Sequence, residues 1–573
     1  MVMDSDIDIA RAANPKHIEA VAKQLGLSRS DLIMHGSNVA KISWNSLENK
    51  TKNANGSLIL VTSVNPTPFG EGKTVTTIGL NQGLNVQGHN ACCVIREPSL
   101  GPVFGIKGGA AGGGFSQVLP MEQINLHFTG DLHAITSAHN LCSAILDNCL
   151  HRGNPLNINT NRIFWPRVLD MNDRSLREIT IGLGGASNGL DRTDRFDITA
   201  ASEVMAILSL ASDYKDLRSR LGRIIVAENN QGHPVTADDI DAAGAMALLL
   251  RDAFLPNLVQ TLEGNPAFVH CGPFANIAHG NSSVIADKIA LSCADYVVTE
   301  AGFGAEMGAQ KALHIKSTAS GVVPSCIVLN VTIRSMKLHG GGFSTGGGAR
   351  PSKEEIELEN VEAVRKGASS NLRRHVLNLA STEIPVVVSI NKFSTDTADE
   401  INTLKDEAKK AGAVDIVVFE GHEKGGNGAI ELANAVVKAC KKHDENNNPF
   451  SPIVDPGTEV EQTILKIATN IYGAQSVDFS TESLRTLETI KKWGKNNLPV
   501  CMAKNQYSFS HDKTILGAPS GFNMPIRELR INAGAGFIVA ICGSMMTMPG
   551  LPKRPAAADM DMDEHGYLTG VFG

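Results

Sequence analysis

Basic charge is not in excess in this chain: 52 Lys and Arg stand against 59 Asp and Glu, a formal net charge of −7. That balance removes the electrostatic case for a nucleic-acid partner. The ten cysteines include the adjacent pair Cys92-Cys93 but no Cys-x-x-Cys spacing. The others are scattered through apolar segments, which suits reduced, buried thiols in a cytoplasmic protein and argues against a disulfide framework or a zinc site. No apolar run reaches membrane-spanning length; Ala533–Cys542 is too short. The first residues, Met1-Val-Met-Asp-Ser-Asp-Ile-Asp, are acidic and lack the apolar core of a signal peptide. Neither His-Glu-x-x-His nor His-x₃-His occurs, so a catalytic metal lacks its usual signature. Aromatic residues are only 5% of the total, with three Trp, so each well-placed ring needs a reason.

What is present is ordinary globular material: 573 residues, 42% hydrophobic and 19% charged. The length suggests about three or four domains.

The chain is organised around Ser57-Leu-Ile-Leu-Val-Thr-Ser-Val-Asn-Pro-Thr-Pro-Phe-Gly-Glu-Gly-Lys-Thr74. Residues 57–64 read as a buried parallel strand. A turn with two prolines and two glycines follows, and Lys73-Thr74 opens a segment able to start a helix. Strand, Gly-containing loop, Lys-Thr and helix make a phosphate cradle, with loop N–H groups and the helix N-terminus facing an anion. Lys73 is expected to reach the outer phosphates and the Thr74 hydroxyl to sit on Mg²⁺. The standard pattern has Gly six residues before the Lys; here that place holds Thr67, while Gly70 and Gly72 remain.

In chain order, residues 15–25 space their apolar positions as a helix does, with Pro15 near its start. His89–Pro98 reads as a second strand, closing a β-loop-α-β unit and delivering Arg96 to a strand end, where doubly wound sheets bind ligands. Residues 101–114 are rich in Gly, as a close backbone approach to a ligand or a flexible loop requires. His127, His133 and His139 recur every six residues, which is not one helix face, so hydrogen-bonded structural histidines are expected rather than metal ligands. Helices are expected over 199–211 and 236–250. Short strands at Phe268-Val-His and Tyr296-Val-Val-Thr each run into Gly-containing polar loops, 270–280 and 300–306. Residues 340–352 resemble a covering loop or the approach to a domain boundary.

Beyond it, a helix over 355–380, strands at 385–390 and 414–419, and helices near 396–411 and 428–442 form a compact α/β unit. Asn391-Lys392 resembles a guanine-reading loop, but Ser394 stands where that loop needs Asp, which excludes a GTPase. Asp559, Asp561 and Asp563 imitate a calcium loop, but Glu564 takes its required Gly position and Gly570 its bidentate Glu, which excludes calcium.

Several motifs together resemble the formate–tetrahydrofolate ligase family. They are Thr67-Pro-Phe-Gly-Glu-Gly-Lys-Thr74, Arg96-Glu-Pro-Ser-Leu-Gly-Pro102, Phe104–Gly114 and Asn125-Leu-His-Phe-Thr-Gly-Asp131. Thr299-Glu-Ala-Gly-Phe-Gly304, Lys337-Leu-His-Gly-Gly341, Lys424-Gly-Gly426 and Met546–Pro552 continue them in one order along the chain. The resemblance implies an α/β fold: a doubly wound, mainly parallel phosphate-loop sheet, a second smaller α/β domain and a C-terminal domain. The expected divisions are 1–360 for the nucleotide-binding domain, 361–448 for the unit contributing to the folate pocket, and 449–573 for the domain closing the cleft. The single-activity form is expected, without the dehydrogenase/cyclohydrolase domain fused to some relatives.

The implied reaction makes 10-formyltetrahydrofolate from formate, tetrahydrofolate and MgATP through formyl phosphate. Thr67, Pro68, Phe69, Gly70, Glu71, Gly72, Lys73 and Thr74 are the implied ATP loop, with Thr74 also on Mg²⁺. Lys73 and Arg96 are the implied catalytic residues, since an Arg fork can clasp a carboxylate or acyl phosphate. Phe393 matches a family aromatic of the pterin pocket, with Phe303 expected nearby. His422 stands where the family commonly carries a Trp, and Phe419 is the other ring able to supply a second face. Phe115 stands where a Tyr is common, and His314-Ile-Lys-Ser-Thr318 replaces a context ending in Cys-Arg. Asp131 and His133 are candidates by type for taking the N10 proton, with structural roles expected of both. A monovalent cation and a homo-oligomer, dimer or tetramer, are further expectations. The alternative reading is a phosphate-loop ATPase acting in assembly or maturation, which would hydrolyse ATP without formate or folate.

Overall fold

In the computed structural model, which describes residues 5–68, 70–107, 111–343, 351–446 and 450–570, the apolar run expected as a strand lies inside a large, mainly parallel sheet. In chain order the strands are β1 (Leu32–Met34), β2 (Ala40–Ile42), β3 (Ser57–Ser63), β4 (Ala91–Ile95) and β5 (Asn257–Thr261). They continue with β6 (Pro266–Val269), β7 (Tyr296–Gly304), β8 (Cys326–Val331), β9 (Val386–Asn391) and β10 (Asp415–Phe419). Their spatial order is β1-β2-β5-β6-β4-β7-β3-β8-β9-β10. From β6 to β10 every neighbour is parallel, while the β1-β2-β5-β6 margin is antiparallel.

Alternation across the pleat explains why β3 is apolar throughout. Ile59 and Val61 enter the core on one face and Leu60 the core on the other, as a strand covered on both sides requires. Helix α1 (Lys73–Val86) then lies over the first face. Gly79 and Gly83 allow its close approach: a Cβ at Gly79 would stand 2.6 Å from Phe419 Cζ, and one at Gly83 2.8 Å from the Ala429 Cβ.

The strands of the 361–448 stretch, β9 and β10, continue the same sheet from β8, so this stretch shares its sheet with the strands before residue 360. The helix expected over 355–380 is broken. Lys353–Glu357 ends, Asn360 caps a new helix by accepting the Ala363 N–H, and that helix starts at Val361. Likewise 199–211 is a 3₁₀ turn followed by Glu203–Leu210, whose cap is Ser202, and only Ala243–Leu250 of 236–250 is helical.

The C-terminal part has its own four-stranded sheet, β11 (Ser476–Phe479), β12 (Val500–Ala503), β13 (Asn523–Asn532) and β14 (Phe537–Cys542), ordered β11-β13-β14-β12. One face of β14, Ile538 and Ala540, packs in its own core; the other, Phe537, Val539 and Ile541, joins the core of the large domain. Among the described residues no helix is long and apolar enough to cross a membrane. Eight of the ten cysteines are buried and the other two half-buried, all as free thiols.

Phe419 has no solvent exposure and lies under α1 against Gly79, which corrects its candidacy as a second stacking ring: it is core. Phe419→Ala is expected to cost about 3–5 kcal/mol, read from a denaturant titration. An unchanged midpoint would place the ring outside the core.

Candidate active site

The turn after β3 keeps its shape through its own side chains. The Glu71 carboxylate is buried; it accepts the Thr67 N–H at 2.8 Å and the Thr332 hydroxyl at 2.7 Å. The Glu71 carbonyl accepts from Asn330 Nδ2 and, at 3.2 Å, from Asn391 Nδ2. Thr67 and Glu71, both expected on ATP, thus close the loop onto the ends of β8 and β9. Gly70 donates to the Thr67 carbonyl at 3.1 Å and has φ +77°. Gly72 has φ +72° and caps α1; a Cβ there would meet Asn391 Nδ2 at 2.4 Å, so glycine is required on two counts. Pro68 is half-buried, and Phe69 lies outside the described residues. Lys73 Nζ donates to Ser63 Oγ at 3.1 Å, beside the last residue of the strand.

Thr74, Glu300 and Arg96 form a chain. The Thr74 hydroxyl donates to Glu300 Oε2 at 2.7 Å, and Glu300 Oε1 is 3.5 Å from Arg96 Nε. Arg96 Nη1 also donates to the Pro273 carbonyl at 3.3 Å. Gly302 has no side chain because the guanidinium passes over it: a Cβ there would stand 2.9 Å from Nη1 and 3.1 Å from Nη2. Phe303, next in line, is a non-glycine residue in the left-handed region, φ +57°, and its carbonyl accepts from Ser63 Oγ at 3.1 Å. Such strain persists only where surroundings over-determine it, and it concentrates at functional sites. Behind this strand end, Asn281 Nδ2 donates to the Glu300 carbonyl at 2.7 Å, and Lys316 holds both Asn281 and Asp287. The unusual His314–Thr318 segment therefore supports the Glu300 backbone from inside.

Further along the same sheet edge, Phe393 is half-buried with the Arg334 guanidinium 3.3 Å from its ring centre, and its N–H donates to Asp396 at 2.8 Å. Lys392 and Lys424 both pair with Glu420. His422 is also half-buried, but its neighbours are on another segment. Its carbonyl accepts the Phe115 N–H at 2.9 Å, and a Cβ on Gly113 would be 3.5 Å from its ring.

The structure brings Lys73, Thr74, Arg96 and Phe303 together. It places Phe393 beyond β8 on the same edge and sets His422 against the Gly113-Gly114 backbone. Glu300 stands in the sequence only within a motif; the signal for it is an acidic residue inside a strand that pairs with β3. Asn330, near the end of β8, carries no local signal, and Asn391, the last residue of β9, stands out only in the guanine-loop pattern that Ser394 excludes. Asp131 accepts Lys41 Nζ on both oxygens at 2.9 Å and Asn257 Nδ2 at 2.9 Å, fully buried, and is structural. His133 is exposed on the helix Asp131–His151, 3.4 Å from Ser137 Oγ. His139 is buried, stacked on Trp165 at 4.0 Å and bound to the Pro166 carbonyl, and burial pushes its pKa down to about 4.

Comparison with known proteins agrees with this geometry over the full length. The family model described as "Formate--tetrahydrofolate ligase" matches residues 4–572. A protein of Ruegeria sp. (strain TM1040) named "Formate--tetrahydrofolate ligase" is 52% identical over 572 residues, covering 100% of each chain. The alternative class, an assembly or maturation ATPase, finds no support in these matches. With the 67–74 loop braced against the ends of β8 and β9 and a full-length match, the chain belongs to the formate–tetrahydrofolate ligase family.

Proposed function

We propose that residues 67–74 hold the ATP phosphates and that Lys73 and Arg96 carry the chemistry of an enzyme whose family reaction is the ATP-dependent ligation of formate to tetrahydrofolate. The observation that carries this reading is the Thr74–Glu300–Arg96 chain beside Lys73. It puts the first turn of a helix and a guanidinium on one carboxylate, with the Lys73 ammonium on the end of the neighbouring strand at Ser63.

In the first step a formate oxygen attacks the γ-phosphorus: a P–O bond to formate forms, the bond to the bridging oxygen breaks, and ADP leaves. Such a transfer needs positioning and charge neutralisation more than covalent help. Lys73 supplies charge on the loop side. Arg96 presents the remaining edge of its fork to formate, held in place by the Pro273 carbonyl and the Glu300 carboxylate. In the second step N10 of tetrahydrofolate attacks the formyl carbon, the C–O bond to phosphate breaks, and N10 loses its proton. The same two cations stabilise the departing phosphate.

The donor set suits Mg²⁺, which takes oxygen ligands and is bound by few carboxylates together with substrate phosphates. The Thr74 hydroxyl and the Glu300 carboxylate, 2.7 Å apart, are the residues that would hold it. Bound there, it would neutralise phosphate charge.

The pterin is assigned to Phe303 and Phe393 on the strand edge, with His422 reaching it from the Gly113-Gly114 side, and the domain 449–573 closes the cleft. Reduced thiols throughout and metabolite substrates support a cytoplasmic enzyme; a homo-oligomer is inferred with it.

Lys73→Ala is expected to abolish ligation in a folded protein, a loss of about 3 kcal/mol or more of transition-state stabilisation; near-normal turnover would remove the nucleotide assignment. Arg96→Lys should keep ATP affinity and lose turnover, because an ammonium cannot reproduce the fork. An equal loss of ATP affinity would place Arg96 on the nucleotide alone. His422→Trp should lower the Michaelis constant for tetrahydrofolate and leave that for ATP unchanged, since an indole offers a larger face. No folate effect would leave the pterin to Phe303 and Phe393.

A further inference from the structure

Asn65 lies two residues beyond the end of β3, where the chain leaves the sheet for the phosphate loop, and its polar groups are all engaged inside the protein. Its backbone N–H donates to His375 Nε2 at 3.2 Å. Its side-chain carbonyl accepts from Asn371 Nδ2 at 2.9 Å, and its amide nitrogen donates to Glu306 Oε1 at 2.8 Å and to the Gln506 carbonyl at 3.3 Å. Its own carbonyl faces His339 Nε2 at 3.3 Å. His375 Nε2 also lies 3.0 Å from Asn65 Oδ1, so one ring nitrogen meets both the backbone and the side chain of Asn65, while Nδ1 is 4.0 Å from Glu306 Oε2. Burial holds His375 and His339 well below the usual imidazole range, so both are neutral hydrogen-bonding groups.

Four residues of the C-terminal part reach this cluster: Lys504, Gln506, Phe509 and Gly517. Lys504, just past β12, pairs with Glu306 Oε1 at 3.2 Å, and neither side chain has any solvent exposure. Gln506 supplies its carbonyl to Asn65. Gly517 donates its N–H to His339 Nδ1 at 3.3 Å and accepts from Asn371 Nδ2 at 2.8 Å. Between them, Phe509 lies tilted against the His375 ring at 4.5 Å. Lys504 is tied into the same segment by the carbonyls of Asn505 and Ser508. A buried Lys–Glu pair is seldom worth more than an apolar pair of equal volume. What this one does have is direction: it fixes which way the Glu306 carboxylate points, and hence the Asn65 amide.

We propose that the C-terminal segment 504–517 is a positioning element for the phosphate loop, acting through Lys504, Glu306 and Asn65, so that nucleotide binding and the order of this segment are coupled. The inference rests on the reading of residues 67–74 as the nucleotide site. Coupling is reciprocal: if the segment sets the loop geometry that ATP requires, bound nucleotide must stabilise the segment in return.

The test is hydrogen exchange on the full-length protein with and without MgADP, followed by steady-state kinetics of Lys504→Met and Asn65→Ser. In the unaltered protein MgADP should slow exchange of the 504–517 amides about fivefold or more. Protection of residues 70–80 without any in 504–517 overturns the coupling alone. Protection of neither overturns the nucleotide reading and the coupling with it. Folded Lys504→Met and Asn65→Ser should both raise the Michaelis constant for ATP about tenfold and leave that for tetrahydrofolate unchanged. Unchanged ATP constants, or equal rises for both substrates alongside a lower melting temperature, reduce the cluster to ordinary core and overturn the proposal. The exchange measurement needs no variant, so it decides the matter even where Lys504→Met does not fold.

Discussion

Parallel pairing of β3 on both flanks is the constraint from which the site follows. On one side Val61 stands opposite Glu300, and on the other Ser63 stands opposite Asn330. Those registers put a carboxylate and an amide on either side of the loop that leaves Ser63. Thr74 can then reach Glu300, and the Glu71 carbonyl can reach Asn330, without further adjustment. A slip of one residue in either pairing would turn the partner side chain to the opposite face of the sheet. Because every strand from β6 to β10 runs the same way, all their C-terminal ends meet at one edge, and Arg96, Glu300, Asn330, Asn391 and Phe393 are neighbours for that reason.

Much of the structure around that edge concerns where charge can be buried. Lys41 pairs with Asp131, Lys316 with Asp287, Lys337 with Glu400 and Lys504 with Glu306, each among the most buried side chains of the protein. Lys311 has a carbonyl, that of Ala275, at 2.6 Å, and burial lowers its pKa. An unpaired ion in such places would be strongly destabilising. Each pair therefore ties two separate stretches of chain in a single arrangement. Lys337 and Glu400 join the segment after β8 to the helix after β9; Lys316 stands behind Glu300.

Small residues do the complementary work. Gly79 and Gly83 set α1 close upon the 419–429 segment, and Gly302 leaves room for the Arg96 guanidinium. The left-handed Phe303 follows directly, so the strained residue sits where the chain must turn sharply beside the arginine it borders.

The amino-acid sequence by itself determined the strand at 57–63, the helix opening at Lys73, the delivery of Arg96 to a strand end, and the family. Those features are written locally, in apolar runs, glycine positions and ordered motifs, because backbone conformation and short loops depend on neighbouring residues. Tertiary structure alone decided the rest. Glu71, read as an ATP contact, closes its own loop because Thr332 and Asn391 arrive from strands about 260 and 320 residues away. Phe419 and Asp131 proved to be core, one beneath α1 and the other on Lys41, since burial is a property of the assembled layers. That β9 and β10 join the sheet of β3, and that Lys504 meets the Glu306 carboxylate that also holds Asn65, depend on which surfaces meet when the chain folds. Hydrophobic periodicity tells which face of an element is covered, but not by what.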